Sequence, residues 1–225
     1  MSTTFDGHRS GAERFARALA PVLELVVRTL FSIRVVGADR VPAGSVLFAA
    51  NHVSFLDPVV AAVVLHRLGR TARFLAASEL FRKPIVGWVL RRAGQIPVVR
   101  GRGAEAMTEA ACEALDAGQA VVVYPEGTIP QPGECPPAKQ GAGLLALRTS
   151  APVIPVAMWG MQRHERWRGS IPIRRPAGVV FGEPLDLSAW RGRDDADAAD
   201  QVSQAMLAAV RGLLPVAQRL TRDRS

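Results

Sequence analysis

Apolar positions along this chain follow two alternating rhythms. Short apolar runs bounded by glycine, proline or charge predict strands over 32–37 ("SIRVVG"), 45–51 ("SVLFAAN"), 72–77 ("ARFLAA") and 95–99 ("QIPVV"). Further strands are predicted over 119–128 ("QAVVVYPEGT", a strand running into a turn), 153–159 ("VIPVAMW") and 177–187 ("AGVVFGEPLDL"). Between them, helical spacing covers 58–68, with Pro58 at the first position, then 83–94, then 104–118, where a glycine ends the pattern, and finally 196–220. The acidic "RDDADAAD" (193–200) suits the opening of that last helix, because carboxylates favour the positive end of the helix dipole. The Pro/Gly-rich "IPQPGECPPAKQG" (129–141) reads as a loop inside a domain, since strand patterning resumes after it. No internal repeat is visible. Strands alternating with helices predict an α/β layered domain with a largely parallel mixed sheet flanked by helices.

Residues 1–31 form a separate amphipathic piece ahead of a domain over 32–225. Leu19, Leu23, Val26, Val27 and Leu30 recur at helical spacing, with arginines at both ends. Glu24 and Arg28 interrupt the longest apolar stretch, so a bilayer span is not expected, and no signal-peptide pattern is present. Two readings stay open for this helix: it lies in a membrane interface, or it packs on the domain's own core.

Composition narrows the partners. With 225 residues, 48% of them hydrophobic and 21% charged, the chain can bury a full core, and disorder over most of its length is excluded. Cys112 and Cys135 match no metal-ligand or paired-disulfide pattern, which fits a reducing compartment. The net charge of +8 is concentrated: residues 1–110 hold 15 Lys/Arg against 8 Asp/Glu, residues 111–225 hold 13 against 12. An anionic partner is implied, whether nucleic acid, an acidic membrane surface or a phosphorylated substrate. Arginine outnumbers lysine 26 to 2; its planar fork fits phosphate, although a coding bias gives the same count.

The chemistry concentrates at strand ends. "AANHVSFLDPVV" (49–60) sets His52 five positions before Asp57, a spacing that suits neither regular period, so the two side chains meet only if the chain turns between them. Asp57 ahead of Pro58 is also an ordinary helix N-cap, and a carboxylate has lone pairs for both duties. In an open α/β sheet, ligands gather at the carboxyl ends of strands. The ends at 51–57, 94–103, 124–128 and 153–156 therefore share one predicted site. It holds an imidazole, two carboxylates and one or two guanidiniums. A His held by an Asp takes a proton from a hydroxyl. No Gly-x-Ser-x-Gly elbow supplies a nucleophile, and the simplest chemistry without one is direct attack by a substrate hydroxyl on an activated acyl donor. No second histidine stands at ligand spacing from His52, so no metal site is expected.

These four stretches, in this order, resemble the glycerophospholipid acyltransferase family, and especially the 1-acylglycerol-3-phosphate (lysophosphatidic acid) acyltransferases, over roughly residues 30–190. Asn51, His52 and Asp57 match the first motif, Ile96 through Arg100 the second, Tyr124 through Thr128 the third and Val153 through Val156 the fourth. The resemblance implies a glycerol-3-phosphate acyltransferase-like fold and acyl transfer from acyl-CoA or acyl carrier protein to a lysophospholipid hydroxyl, with no further cofactor. His52 would be the base and Asp57 its orienting partner. Arg100, with Arg102, would hold the acceptor phosphate, and Glu126, Gly127 and Thr128 would shape the acceptor pocket. Backbone N–H groups of Gly127 and Thr128 are candidates for stabilising the oxyanion. Many members continue the third motif with Arg-Ser; here Ile129 and Pro130 follow, and Lys139 is the alternative cation. That departure leaves room for a glycolipid or an amine-containing lysolipid as acceptor. Arg100 also belongs to a general basic face with Arg91, Arg92 and Arg102.

The segment 81–94 mixes Phe81 and Trp88 with Arg82, Lys83, Arg91 and Arg92, a composition suited to lipid headgroups, so peripheral attachment to the cytoplasmic face of the cell membrane is expected. A nucleic-acid-binding module rests only on the basic balance, without a recognition motif, and is set aside. His66, His164, Trp88, Trp159 and Trp167 read as surface or packing residues.

Overall fold

The runs without polar alternation, at 46–50, 120–123 and 153–158, lie in the middle of a sheet, where both faces of a strand are covered. A computed structural model describes residues 3–99, 104–131, 133–162 and 173–222, with side chains from residue 11 onward. Seven strands form one sheet: β1 (Phe31–Val36), β2 (Val46–Ala50), β3 (Ala72–Ala77), β4 (Ile96–Val98), β5 (Ala120–Val123), β6 (Val153–Trp159) and β7 (Arg175–Phe181). Their order is β1-β7-β6-β2-β5-β3-β4. Only the β6–β7 pairing is antiparallel, so five strands run one way and the edge pair β7–β1 runs the other. The helices are α1 (Thr3–Leu30), α2 (Asp57–Arg67), α3 (Ser78–Phe81), α4 (Pro84–Arg92), α5 (Ala104–Asp116), α6 (Gln140–Leu147) and α7 (Ala196–Arg222). The α/β layered architecture with a largely parallel mixed sheet is the one the alternating pattern predicts.

Alternate residues of the central strands divide between two cores. Val46, Phe48 and Ala50 of β2, with Ala120 and Val122 of β5, pack with Val60, Val63 and Val64 of α2 and Val27 of α1. Leu47, Ala49, Val121 and Val123 point to the other layer, against Leu115 of α5, Leu145 of α6 and Val202, Met206 and Val210 of α7. Each large side chain so buried is worth about 1.5–3 kcal/mol.

Several elements differ from the sequence reading. Helix α6 was not expected: "QGAGLLAL" carries no polar stripe because it is covered by α7 and α5, and so lacks amphipathic period. The last strand ends at Phe181 rather than at 187, and the chain beyond it is held by single bonds such as Leu185 N–H to the Val153 carbonyl (2.9 Å). Asp195, in the acidic stretch, accepts from Ala198 N–H at 2.9 Å and caps α7.

Helix α1 divides its apolar positions. Val27 is buried, Leu23 and Leu30 pack at the edge of the core, and Val26 is exposed together with Val22 and Leu25. Arg67 of α2 clasps Glu24 with three hydrogen bonds of 2.7–3.2 Å, and Phe15 meets Trp88 of α4 edge to face at 5.4 Å. No helix among the described residues is long and apolar enough to cross a membrane.

Candidate active site

The turn after β2 is built by one carboxylate. Asp57, fully buried, accepts through Oδ2 from the Nδ1–H of His52 (2.9 Å), the Val53 N–H (2.5 Å) and the Ser54 N–H (2.7 Å). The side chain therefore reaches backward into the turn. Asp57 is the first residue of α2, after Leu56, and is not the N-cap that the Asp-Pro pair suggested. Its Oδ1 is buried without a partner among the described residues. Burial pushes the Asp57 carboxyl above the usual carboxylate range, against the pull of His52 and the two N–H groups. With Nδ1 donating to Asp57, Nε2 of His52 is the nitrogen with a lone pair free for a proton.

The neighbouring turn closes over the imidazole. Glu126 Oε2 accepts from the His52 backbone N–H at 2.6 Å, which ties the end of β5 to the end of β2. Tyr124 stacks on the His52 ring with centroids 4.3 Å apart and planes 20° from parallel. Burial raises the Glu126 carboxyl to about 7, although the His52 N–H and the nearby charges of His52 and Arg211 pull the other way. Gly127 sits at φ 67°, a left-handed conformation that glycine adopts without steric cost, and its N–H donates to the Tyr124 carbonyl at 2.9 Å. That bond closes the turn and takes the Gly127 N–H out of the pair of candidate oxyanion donors.

Asn51 extends the sheet by one rung. Its Nδ2 donates to the Met158 carbonyl (2.9 Å) and its Oδ1 accepts from the Met158 N–H (2.7 Å), so both ends of the amide hold β2 to β6.

Asn51, His52, Glu126, Gly127, Thr128 and Lys139 all line one open cleft of about 2580 Å³. Its far walls are apolar: Leu19 and Leu23 of α1, Val59 and Ala62 of α2, Val89 and Leu90 of α4. That is well above the ~300–1,000 Å³ of ordinary small-ligand pockets and suits a long, largely apolar substrate. Arg100 and Arg102, expected at the second motif, lie outside the described residues, as do His164 and Trp167. His66 and Trp159, read as bystanders, also line the cleft. The residue that the sequence reading passed over is Arg211 of α7, which reaches the same cleft; its pattern in sequence is that of any charged helix position.

A carboxylate-held imidazole at the carboxyl ends of parallel strands, opening on a cleft with apolar walls, is equipped to deprotonate a hydroxyl bound there. Residues 32–159 match the acyltransferase family, and the chain belongs to it. It is 27% identical over 160 residues to a chloroplastic 1-acyl-sn-glycerol-3-phosphate acyltransferase of Brassica napus, covering 69% of this chain and 45% of that protein. The corresponding chloroplastic enzyme of Arabidopsis thaliana is 28% identical over 160 residues, covering 69% and 43%. The chain thus spans less than half the length of these curated relatives. A lyso-ornithine lipid O-acyltransferase of Pseudomonas aeruginosa is 32% identical over 100 residues, 44% of this chain and 36% of that protein. Among solved structures, the LPA acyltransferase PlsC of Thermotoga maritima shares the fold, with a TM-score of 0.60 at 23% identity, covering 100% of this chain and 86% of that one.

Proposed function

We propose that this acyltransferase moves a fatty acyl group from acyl-CoA or acyl carrier protein to the free hydroxyl of a lysophospholipid, with lysophosphatidic acid as the first acceptor to test. The observation that carries the reading is the 2.9 Å contact between His52 Nδ1 and Asp57 Oδ2 at the rim of the cleft. His52 Nε2 takes the proton of the acceptor hydroxyl as its oxygen attacks the thioester carbonyl. Asp57 fixes the ring and stabilises its positive charge. The tetrahedral intermediate collapses, the carbon–sulfur bond breaks, and the thiolate leaving group recovers the proton from His52. Glu126 positions the base by holding the His52 backbone, while Gly127 and Thr128 shape the wall beside it. Arg100 and Arg102 remain candidates for the acceptor phosphate. No cofactor beyond the acyl donor is required. The exposed Trp88, Ile85 and Phe55, with Arg82, Lys83 and Arg91 nearby, support work at an anionic membrane surface, proposed as the cytoplasmic face.

A second acceptor class is favoured by one observation. Ile129 and Pro130 stand where the resemblance expects Arg-Ser, and one relative is named for lyso-ornithine lipid, an amine-containing acceptor. Mass spectrometry of products from purified protein, acyl-CoA, vesicles and a panel of lysolipids separates the two. Phosphatidic acid as the main product supports the first reading, and an acylated amine-containing lipid the second. Absence of acyl transfer to every acceptor, with CoA and carrier-protein donors alike, overturns both.

A further inference from the structure

The cleft that holds His52 and Glu126 also carries a guanidinium from the last helix of the fold. Helix α7 is fixed against the start of α6 by a relay at buried Ser203: its hydroxyl donates to the Lys139 carbonyl (2.9 Å) and accepts from the Gly143 N–H (2.7 Å). Gly143 allows this approach, because a Cβ there would lie 1.9 Å from the Ala199 carbonyl oxygen. Farther along the same helix, Arg211 donates through Nη2 to the Pro136 carbonyl at 2.7 Å, and its charge acts on the Glu126 carboxyl. Glu126 in turn holds the His52 backbone, so Arg211 belongs to the His52 end of the long cleft. Lys139 flanks the same turn: its N–H donates to the Pro125 carbonyl at 2.7 Å, and its Cγ lies 3.0 Å from where a Gly127 Cβ would stand.

We propose that Arg211, with Lys139 on the same cleft, seats the anionic headgroup of the acyl acceptor, a phosphomonoester or carboxylate, in place of the arginine that Ile129 displaces from the third motif. The assignment rests on the acyl-transfer reading for its ligand. A guanidinium carries five N–H donors, and the Pro136 carbonyl takes one from Nη2, which leaves others for an anion in the cleft. The two cations come from separate elements whose backbones Ser203 ties together, which limits the ordering left for the acceptor to do. The rim carboxylate of Glu134 accepts from the Gln131 N–H at 2.9 Å and forms no ion pair with Arg211 or Lys139 among the described residues. Glu126, with its carboxyl near 7, is about half protonated at neutral pH and leaves much of the guanidinium charge uncancelled.

The test compares lysophosphatidic acid with monoacylglycerol, which has the same chain and hydroxyl and no phosphate. In wild type, Arg211→Gln and Arg211→Lys, acyl transfer is measured for both acceptors, and lysophosphatidic acid binding is titrated calorimetrically in detergent. Gln drops the charge and, being shorter, the Pro136 bond as well, whereas Lys keeps the charge without the fork, so the pair separates charge from the clasp on the loop. Arg211→Gln is expected to raise the KM for lysophosphatidic acid by about tenfold or more, with kcat and monoacylglycerol transfer little changed. Binding weakens by the same factor, and Arg211→Lys recovers part of the loss. An equal effect on both acceptors, or none on lysophosphatidic acid, overturns the headgroup assignment and reduces Arg211 to a clasp on the loop. A wild type that transfers to no acceptor overturns the acyl-transfer reading instead, and the headgroup assignment is then decided by the titration alone.

Discussion

The two turns that meet at His52 are built in opposite ways. The turn from Asn51 to Asp57 closes on itself: one carboxylate oxygen gathers donors from positions 52, 53 and 54. The segment from Tyr124 to Lys139 has one internal tie, Lys139 on Pro125, and is braced from outside by Ser203 on Lys139 and by Arg211 on Pro136, 75 residues away. Asp57 fixes the proposed base from within its own turn, while Glu126 and Tyr124 hold the same residue from the other. Apart from Tyr124 and Glu126, the lining residues of the braced loop make no hydrogen bond or ring contact to His52 among the described residues. The proposed function thus puts the base on the first turn and the proposed headgroup cations around the second, joined through Glu126, and each can be probed by its own variants.

Breaking the first turn is expected to have the largest effect. His52→Ala should lower acyl transfer by about 10²–10⁴-fold while the thermal midpoint stays near the parent's, because the backbone N–H to Glu126 remains. Undiminished initial rates would remove His52 as the base. Asp57 separates chemistry from scaffolding. Asp57→Asn keeps an oxygen for the Val53 and Ser54 N–H groups but removes the charge facing Nδ1, so activity should fall by about 10²-fold or more with the fold retained. Asp57→Ala also leaves the half-buried Val53 and Ser54 N–H groups without their acceptor and should cost about 1–3 kcal/mol more in a denaturant titration. Equal stability of the Asn and Ala variants would show that Asp57 does not hold the turn.

The second turn is reached through α7. Gly143→Ala places a methyl against the Ala199 carbonyl and 2.7 Å from Ser203 Oγ, both of which belong to the helix that carries Arg211. A loss of about 3 kcal/mol is expected, with a higher KM for acceptor and a smaller change in kcat. An unchanged thermal midpoint would mean that α6 and α7 do not approach as closely as the Ser203 relay requires.

The same contrast decides what could be read from the chain. His52 and Asp57 were legible because their partnership spans five residues and the intervening backbone supplies the other ligands of the carboxylate. The parallel sheet was legible because β2, β5 and β6 are covered on both faces and show unbroken apolar runs. Helix α6 was not, because full burial erases the polar stripe by which a helix is recognised. Glu126 was read as pocket lining, and its role in holding the His52 backbone depends on the pairing of β2 with β5, which no local spacing reveals. Arg211 was passed over for the same reason: its neighbours Pro136 and Glu126 are brought to it only by the packing of α7 on α6.

The smallest of these effects joins the two turns through Glu126. Its folded carboxyl holds a proton up to about 7, whereas in the unfolded chain it ionises near 4.5. Between those values folding takes up a proton, so this group makes the protein less stable as pH rises through the window and contributes no further change above it. Wild type should lose about 2 kcal/mol relative to Glu126→Gln between about pH 5 and about pH 8, the amide retaining an oxygen for the His52 N–H. Urea titrations of both proteins across that range measure the difference directly. Parallel pH profiles would mean that Glu126 is ionised at neutral pH. The Arg211 charge would then be largely spent on the protein's own carboxylate, and the division of labour between the two turns would lose its acceptor half.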